Sequence, residues 1–401
     1  MTHRALILEN VHPDADAALS QAGLQVERAS GAMDRDALIE ALKGVTVLGI
    51  RSKTQVTTDV LEAADDLQAV GCFCIGTNQI DLDSAAHRGI AVFNSPFSNT
   101  RSVAEMTLAE IISLHRGLFD RSRELHEGKW HKTAAGAHEV RGRTLGIVGY
   151  GHIGSQVSVL AELLGMRVVF HDIRPCMPLG NATALDSLDA VLQQSDIVTL
   201  HVPATAMTKN LIGAAELSRM QPHACLINNA RGSVVDLDAL ADALRNGTIG
   251  GAAVDVFPTE PTAGEAAFDC PLAGLPNVIM TPHVGGSTLE AQAGIAREVA
   301  HKLGRFFATG TTTSSVNVPG VDLPEHHADH LRMLHFHRNV PGVLSTLHGT
   351  LADMDANIHA EYLQSMGDVS YVILDIDRVD IDPLRTAIVA MPETIRLRVL
   401  N

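Results

Sequence analysis

Aromatic side chains make up only 3% of this 401-residue sequence, and Trp130 is its one tryptophan. A chain so poor in rings must fill its cores with aliphatic residues. Those are abundant: 46% of residues are hydrophobic, and the length allows two or three domains with cores of their own. Five cysteines, an odd number and widely scattered, exclude a disulfide framework and lead to a reducing cytoplasm as the expected location. Cys72 and Cys74 flank Phe73 in an apolar run and read as part of a buried strand rather than a ligand pair. No apolar run approaches the roughly 18 residues of a membrane-spanning helix. Met1-Thr2-His3-Arg4 leads straight into a short strand-like run, so neither a signal peptide nor a membrane partner is expected. Basic residues are in deficit, 30 Lys and Arg against 46 Asp and Glu, a formal net charge of −16. Nucleic acid is therefore excluded as a general partner, and an anionic substrate would need a local basic pocket.

The most informative segment lies between residues 145 and 172. The apolar run Leu145, Ile147, Val148 leads into Gly149-Tyr150-Gly151-His152-Ile153-Gly154. Ile153, Val157, Leu160, Ala161 and Leu164 then recur at helical spacing, and a second apolar run, Val168-Val169-Phe170, ends at Asp172. Between a strand and a helix, with an acid about 20 residues on, this glycine pattern reads as a dinucleotide fingerprint. Gly149 permits the tight turn, Gly151 the approach of a pyrophosphate, and Gly154 close packing of helix on strand. The pyrophosphate would rest on the helix N-terminus. Asp172 would accept from an adenosine ribose diol and repel a 2′-phosphate, which favours NAD over NADP despite the nearby Arg174.

Buried-strand patterns at Ala5–Leu8, 45–50, 67–74 and 91–93 alternate with helical ones and predict a small parallel α/β domain, ended by the breakers Asn94 to Asn99. One long helix is expected from about Arg101 towards Glu127. The second α/β unit repeats strands at 197–202, 225–228, 252–256 and 278–280, with a helix near 236–246 ending at Gly247. A helix over about 288–308 would carry the chain back onto the first domain. The polar stretch 309–330 reads as a linker. The C-terminal residues beyond it have a βαββαβ order, as in a ferredoxin-like sandwich. The expected domains are thus substrate-binding (1–98 and 287–318), dinucleotide-binding (99–286), a linker (319–330) and a C-terminal α+β module (331–401). Histidines 326, 327, 330, 335 and 337 span a linker and a strand rather than one face, so no metal site is expected.

Three more segments complete the pattern: Asn229-Ala230-Arg231-Gly232, Asp255-Val256-Phe257-Pro258-Thr259-Glu260-Pro261 and Thr281-Pro282-His283-Val284-Gly285-Gly286. With the glycine fingerprint, Gly71 to Asn78 and Asn94 to Glu105, the chain closely resembles the D-isomer-specific 2-hydroxyacid dehydrogenases over essentially its whole length. The resemblance implies a Rossmann domain inserted in a flavodoxin-like substrate domain, followed by a ferredoxin-like ACT domain. It implies NAD-dependent oxidation of D-3-phosphoglycerate to 3-phosphohydroxypyruvate, the opening step of phosphorylated L-serine synthesis. The alternatives are a reductase of hydroxypyruvate or glyoxylate, and a non-catalytic NAD-sensing interaction protein.

Chemically, His283 suits a proton acceptor that also returns the proton, because imidazole titrates near neutrality. Glu260 would bind its other ring nitrogen, and Arg231 would hold the substrate carboxylate by a bidentate contact that lysine makes poorly. By resemblance, His152 and Ile153 would cover the pyrophosphate. Asn229, Ala230, Arg231, Asp255, His283, Val284, Gly285 and Gly286 would line the nicotinamide side. For the substrate phosphate the candidates are Arg51, Ser52, Lys53, the Ile75-Gly76 backbone, Asn99 and Lys132. The ACT resemblance implies an effector site for L-serine at His337, Asn339 and Asn357. Their amides and imidazole offer the donors and acceptors a zwitterion needs, beside a helix opened by Pro341-Gly342. Pairing of ACT and dinucleotide domains implies a homotetramer.

Overall fold

The computed structural model describes residues 3–261, 268–324 and 326–401; Met1, Thr2 and Glu325 of the expected linker lie outside the described residues. The chain forms two compact units, Met1–Ser98 with Gln292–Asn401, and Asn99–Ala291.

The first unit opens with five parallel strands: β1 (His3–Ile7), β2 (Leu24–Arg28), β3 (Val47–Ile50), β4 (Ala69–Cys72) and β5 (Ala91–Asn94), in the order β2-β1-β3-β4-β5. That is the flavodoxin-like order. β3, β4 and β5 are buried throughout, so they are continuous apolar runs that a sequence reading detects. β2 is a half-exposed edge strand, Leu-Gln-Val-Glu-Arg, and the sequence reading missed it.

The helix Leu289–Thr309 supplies much of this unit's core. Its Ile295, Val299, Leu303 and Phe306 pack with Phe73 and Phe93 of the sheet layer. The polar stretch after it was expected to be a linker from residue 309 onward, yet its first part is packed. Ser315 bridges Phe93. Asn317 Oδ1 accepts from the Val92 amide (2.8 Å) while its Nδ2 donates to Ile90 O (2.9 Å). Thr312 Oγ1 accepts from Val321 N (2.9 Å) and donates to Pro319 O (2.6 Å). Polar residues here satisfy buried backbone groups, so a linker-like composition conceals a structural element.

The second unit contains seven parallel strands: β6 (Thr144–Val148), β7 (Arg167–His171), β8 (Thr183–Ala184), β9 (Ile197–Leu200), β10 (Cys225–Asn228), β11 (Gly251–Val254) and β12 (Val278–Met280). Their order is β12-β11-β10-β9-β6-β7-β8, a doubly wound sheet whose direction of winding reverses between β6 and β9. Ligands of such sheets bind outside the strand carboxyl ends at that reversal. The single long helix expected over 101–127 is two. Thr100–Arg116 ends at Gly117, whose φ of 56° is left-handed, and Leu118–His126 comes next. A left-handed residue cannot continue a right-handed helix, and glycine adopts it without a Cβ penalty.

The C-terminal part of the first unit has β13 (Leu331–Arg338), β14 (Ile358–Met366), β15 (Val369–Ile376) and β16 (Thr394–Leu400), antiparallel in the order β14-β15-β13-β16. Helices Val343–Asp353 and Ile381–Val389 cover one face with Met333, Leu347, Val372, Leu374 and Leu384. The other face, with Leu334, Phe336, Tyr371 and Ile373, joins the core built on helix Leu289–Thr309. Alternate residues of β13 and β15 therefore feed two different cores. Arg332 is 1% exposed within the second of them. Its Nε and Nη2 donate to the two Asp375 oxygens, both at 2.7 Å, and its Nη1 donates to Pro324 O (2.9 Å) and Thr309 O (3.2 Å).

Removing one partner of such a buried pair leaves an uncompensated charge. We expect Asp375→Ala to lower unfolding stability by about 3–5 kcal/mol, measured by urea denaturation; an unchanged midpoint would show that the pair contributes nothing.

Candidate active site

β6 ends at Val148, and Gly149 comes next with φ of 90°. The helix His152–Leu163 starts shortly after, with Gly151 in its cap position. A Cβ on Gly154 would overlap Gly149 O, whereas one on Gly151 would meet nothing within 4 Å. Gly154 thus serves packing inside the protein, and Gly151 leaves open space above the turn. The Asp172 carboxylate stands at the next strand's end, fixed by N–H groups of Tyr150 (2.7 Å) and Arg174 (2.9 Å). A helix N-terminus, an open glycine and a backbone-held carboxylate fit the pyrophosphate and ribose of a dinucleotide.

The loops after β10 and β11 carry two of the candidate catalytic residues, Arg231 and Glu260. Asn228 ends β10, and its side chain holds the adjoining turn by accepting from Ala230 N (3.2 Å) and donating to Arg231 O (3.1 Å). Arg231, half-buried, donates to Ala230 O (2.7 Å). The Gly232 Cα packs so tightly on the Phe257–Pro258 backbone that any side chain would overlap it. This contact seats the Arg231 turn directly on the segment that leads to Glu260.

Glu260 and His283 meet: His283 Nδ1 lies 2.8 Å and 3.0 Å from the two carboxylate oxygens. Both side chains remain accessible, 51% for His283 and 38% for Glu260. Glu260 is itself anchored by the Phe257 amide (3.2 Å). His283 has φ of 53°, a left-handed conformation uncommon outside glycine. It is held there by Asp255. The Asp255 carbonyl accepts from His283 N (2.8 Å), and its buried carboxylate accepts from Thr281 Oγ1 (2.6 Å), Val284 N (2.9 Å) and Gly285 N (2.8 Å). Asp255 was expected to face the cofactor carboxamide; these bonds make it foremost the anchor of the His283 turn, with about one acceptor site to spare.

Asn229 is buried, and both amide hydrogens are used, on Glu110 Oε2 (2.7 Å) and Thr107 Oγ1 (3.1 Å). Among the described residues its Oδ1 has no partner, nor has Glu110 Oε1. Burial pushes the Glu110 carboxyl up to about 7, an effect that its bond to Asn229 opposes and the Asp255 charge adds to. The sequence reading overlooked Glu110 and Thr107. A signal existed, since Glu110 is a charge on the apolar stripe Val103, Thr107, Ile111, Leu114 of its helix. Asn99 caps that helix and lies against Gly286.

Among the substrate candidates, Arg51, Ser52 and Lys53 form a turn after β3 in the first unit. Glu9, buried and with φ of 58°, shapes it by accepting from Lys53 N (3.0 Å) and Thr54 N (2.8 Å). Gln79 donates to Arg51 O (2.5 Å) and Gly76 O (3.3 Å), and Asn94 donates to Ile75 O (2.6 Å). The Ile75-Gly76 backbone and the basic turn are therefore braced together. Cys74, expected inside a strand, lies in a bend beyond β4, with its thiol on Gly76 O (3.1 Å). Lys132 is in the second unit, exposed on the segment after Trp130.

Comparisons with known proteins agree with this geometry. Residues 108–285 match the model of the D-isomer specific 2-hydroxyacid dehydrogenase NAD-binding domain, and 333–396 that of an ACT domain of the AHAS small-subunit type. A curated relative from Haemophilus influenzae, named D-3-phosphoglycerate dehydrogenase, is 50% identical over 98% of this chain and 96% of its own. One from Saccharomyces cerevisiae, D-3-phosphoglycerate dehydrogenase 1, is 49% identical over 94% of this chain and 82% of its own. The chain belongs to the D-isomer-specific 2-hydroxyacid dehydrogenases. A solved member of that family from Lactobacillus delbrueckii ssp. bulgaricus, in NAD-complexed form, superposes with a TM-score of 0.68 at 27% identity, over 78% of this chain and all of that one. As a 2-hydroxyacid dehydrogenase this chain uses NAD.

The ACT residues of this dehydrogenase do not form one cluster. His337 is buried at the end of β13, with Nδ1 donating to Arg338 O (2.9 Å) and Nε2 without a protein partner. Asn339 donates to Gly367 O (3.0 Å). Asn357 precedes β14. Leu331 and Ile358 both stand opposite Ile376, while Arg338 stands opposite Val369. Asn357 and His337 thus lie at opposite ends of the same sheet, and one copy cannot place all three around one small ligand.

Asp172→Asn keeps the shape but loses the negative charge. We expect NAD to bind about tenfold more weakly and the discrimination against NADP to narrow, read by fluorescence titration with both dinucleotides; unchanged affinities would remove Asp172 from the site.

Proposed function

We propose that this dehydrogenase oxidises D-3-phosphoglycerate to 3-phosphohydroxypyruvate, the step that opens phosphorylated L-serine synthesis. The Glu260–His283 pair, at 2.8 Å, carries the reading. Glu260 engages Nδ1, which directs the Nε2 side of the ring to the substrate hydroxyl. His283 takes the hydroxyl proton, and Glu260 stabilises the resulting imidazolium. Arg231, on the turn seated against the Glu260 segment, holds the carboxylate and polarises the alcohol oxygen. NAD, held by the Gly149–Gly154 turn and Asp172, would supply the acceptor for the hydride that leaves the alcohol carbon. Arg51, Ser52 and Lys53, the Ile75-Gly76 backbone, Asn99 and Lys132 are assigned to the substrate, with the cations taking its phosphate. In a chain of net charge −16 these cations supply the local positive field that a doubly charged ester needs.

Residues 1–98 and 287–318 are assigned to substrate binding, 99–286 to the cofactor, 319–330 to a connection and 331–401 to regulation. The effector is L-serine, bound by His337, Asn339 and Asn357 contributed by two copies, as the opposite-end placement requires. Such pairing, with a second through the dinucleotide domains, makes a homotetramer. Among the described residues no helix is long and apolar enough to cross a membrane. The five scattered, unpaired cysteines support a cytoplasmic location.

NADH formation should be far faster on D-3-phosphoglycerate than on D-glycerate, and raised salt should narrow the difference. Arg51→Ala should raise KM for the phosphorylated acid roughly 10- to 100-fold with little change in kcat. Equal rates on both acids would assign the chain to the hydroxypyruvate or glyoxylate type instead.

L-serine should lower the initial rate, and His337→Ala should abolish that response without altering turnover in its absence. Unchanged rates at saturating serine would reject this effector. The response requires that serine bind two conformational states unequally.

A further inference from the structure

The least expected charge in the second unit is Glu110. It is 4% exposed and sits on the inward stripe of helix Thr100–Arg116. A carboxyl buried among aliphatic residues destabilises a fold unless it is paired, and no cation pairs with it among the described residues. Among the described residues its one hydrogen bond comes from the Asn229 side chain at 2.7 Å. Thr107, which takes the other Asn229 hydrogen, spends its own hydroxyl hydrogen on Val103 O (2.9 Å). The group thus has two buried acceptors, Glu110 Oε1 and Asn229 Oδ1, and no donor for either among the described residues. Among the described residues the charged group acting on Glu110 is Asp255, just beyond β11, whose carboxylate is occupied by the His283 turn. Glu110 therefore touches one residue assigned to the nicotinamide side and feels the charge of another.

We propose that Glu110 is a positioning residue that distinguishes the two forms of the cofactor, holding Asn229 in place and setting a buried negative charge behind the ring that is positive only when oxidised. The inference rests on the NAD-binding reading of Asn229 and Asp255. With the ring oxidised, its positive charge favours the Glu110 carboxylate, and the proton leaves to solvent. With the ring reduced and neutral, the carboxyl keeps its proton, which supplies the donor this acceptor-rich group lacks. Oxidised cofactor is thereby favoured as pH rises through about 7, where burial has placed the carboxyl, while reduced cofactor is nearly indifferent to pH. The effect is local because a charge in a low-dielectric interior acts over several ångströms with little screening.

The sign for the protein alone runs the other way. A folded value near 7 against an ordinary 4.5 means that the folded state holds a proton that the unfolded chain has released. Stability conferred by the neutral carboxyl is present below about 4.5 and is lost as pH rises to about 7.

The test compares the unaltered protein with Glu110→Gln, a neutral side chain of the same shape. NAD and NADH dissociation constants are measured at pH 6 and pH 8, and proton release on NAD binding is read by calorimetry in buffers of different ionisation enthalpy. The unaltered protein should release a proton fraction with NAD and none with NADH. Glu110→Gln should abolish that release and weaken NAD relative to NADH about tenfold at pH 8. It should also lose the stability decline between pH 4.5 and 7. A variant that loses the stability decline but keeps the NAD to NADH ratio and the proton release would overturn the inference and leave Glu110 purely structural. Failure of the unaltered protein to bind NAD would overturn the cofactor reading, and this inference with it.

Discussion

The catalytic half of the molecule depends on how the Asp255 carboxyl group is used. Standing at the end of a buried strand, it takes three hydrogen bonds from the turn that carries His283, and its own carbonyl takes a fourth. The turn is left-handed at a residue with a Cβ, a conformation that stores about 1 kcal/mol or more. Only an anchor of this strength keeps it from relaxing. Because the turn is fixed, the imidazole projects beside Glu260 rather than into solvent at large. The placement of His283 beside Glu260 therefore begins one layer down, in a buried carboxylate that is taken up by the turn.

The same economy recurs wherever a reactive side chain stands. Asn228 shapes the Arg231 turn, Gly232 seats that turn on the Glu260 segment, and Glu9 shapes the turn presenting Arg51 and Lys53. Asn228 and Glu9 are buried polar groups adjacent to strand ends that satisfy loop amides which would otherwise go unpaired. Parallel sheets make this possible, since their strand ends deliver several loops to one side of the sheet while the strands themselves stay inside.

How much of this could be read from the residues depends on which interactions are local. The fingerprint strand, turn and helix are contiguous and periodic, so that local structure was legible. So were β3, β4 and β5, whose runs are apolar throughout. β2 was missed because an exposed edge dilutes the apolar signal. The break at Gly117 was missed because one glycine inside a helical pattern looks tolerable until its φ is known. Residues 311–321 looked like a linker because their hydroxyls and amides are polar, and only the fold shows that backbone groups at and beside β5 and within the stretch itself absorb them. Glu9 and Glu110 act across 44 and 119 residues of sequence, and no periodicity reports a partner that distant.

The C-terminal sheet raises a different constraint. One face packs with its own two helices and the other joins the core built on helix Leu289–Thr309. What stays open is an edge: β14 pairs with β15 alone among the described residues and is mostly exposed. A two-fold axis beside an open edge sets the start of one sheet against the finish of its neighbour, because the operation reverses strand direction. That reversal is what the serine reading needs, since it brings an Asn357 end to a His337 end without bending either sheet. On that reading, the placement of Asn357 and His337 at opposite ends of the sheet would tie effector binding to assembly.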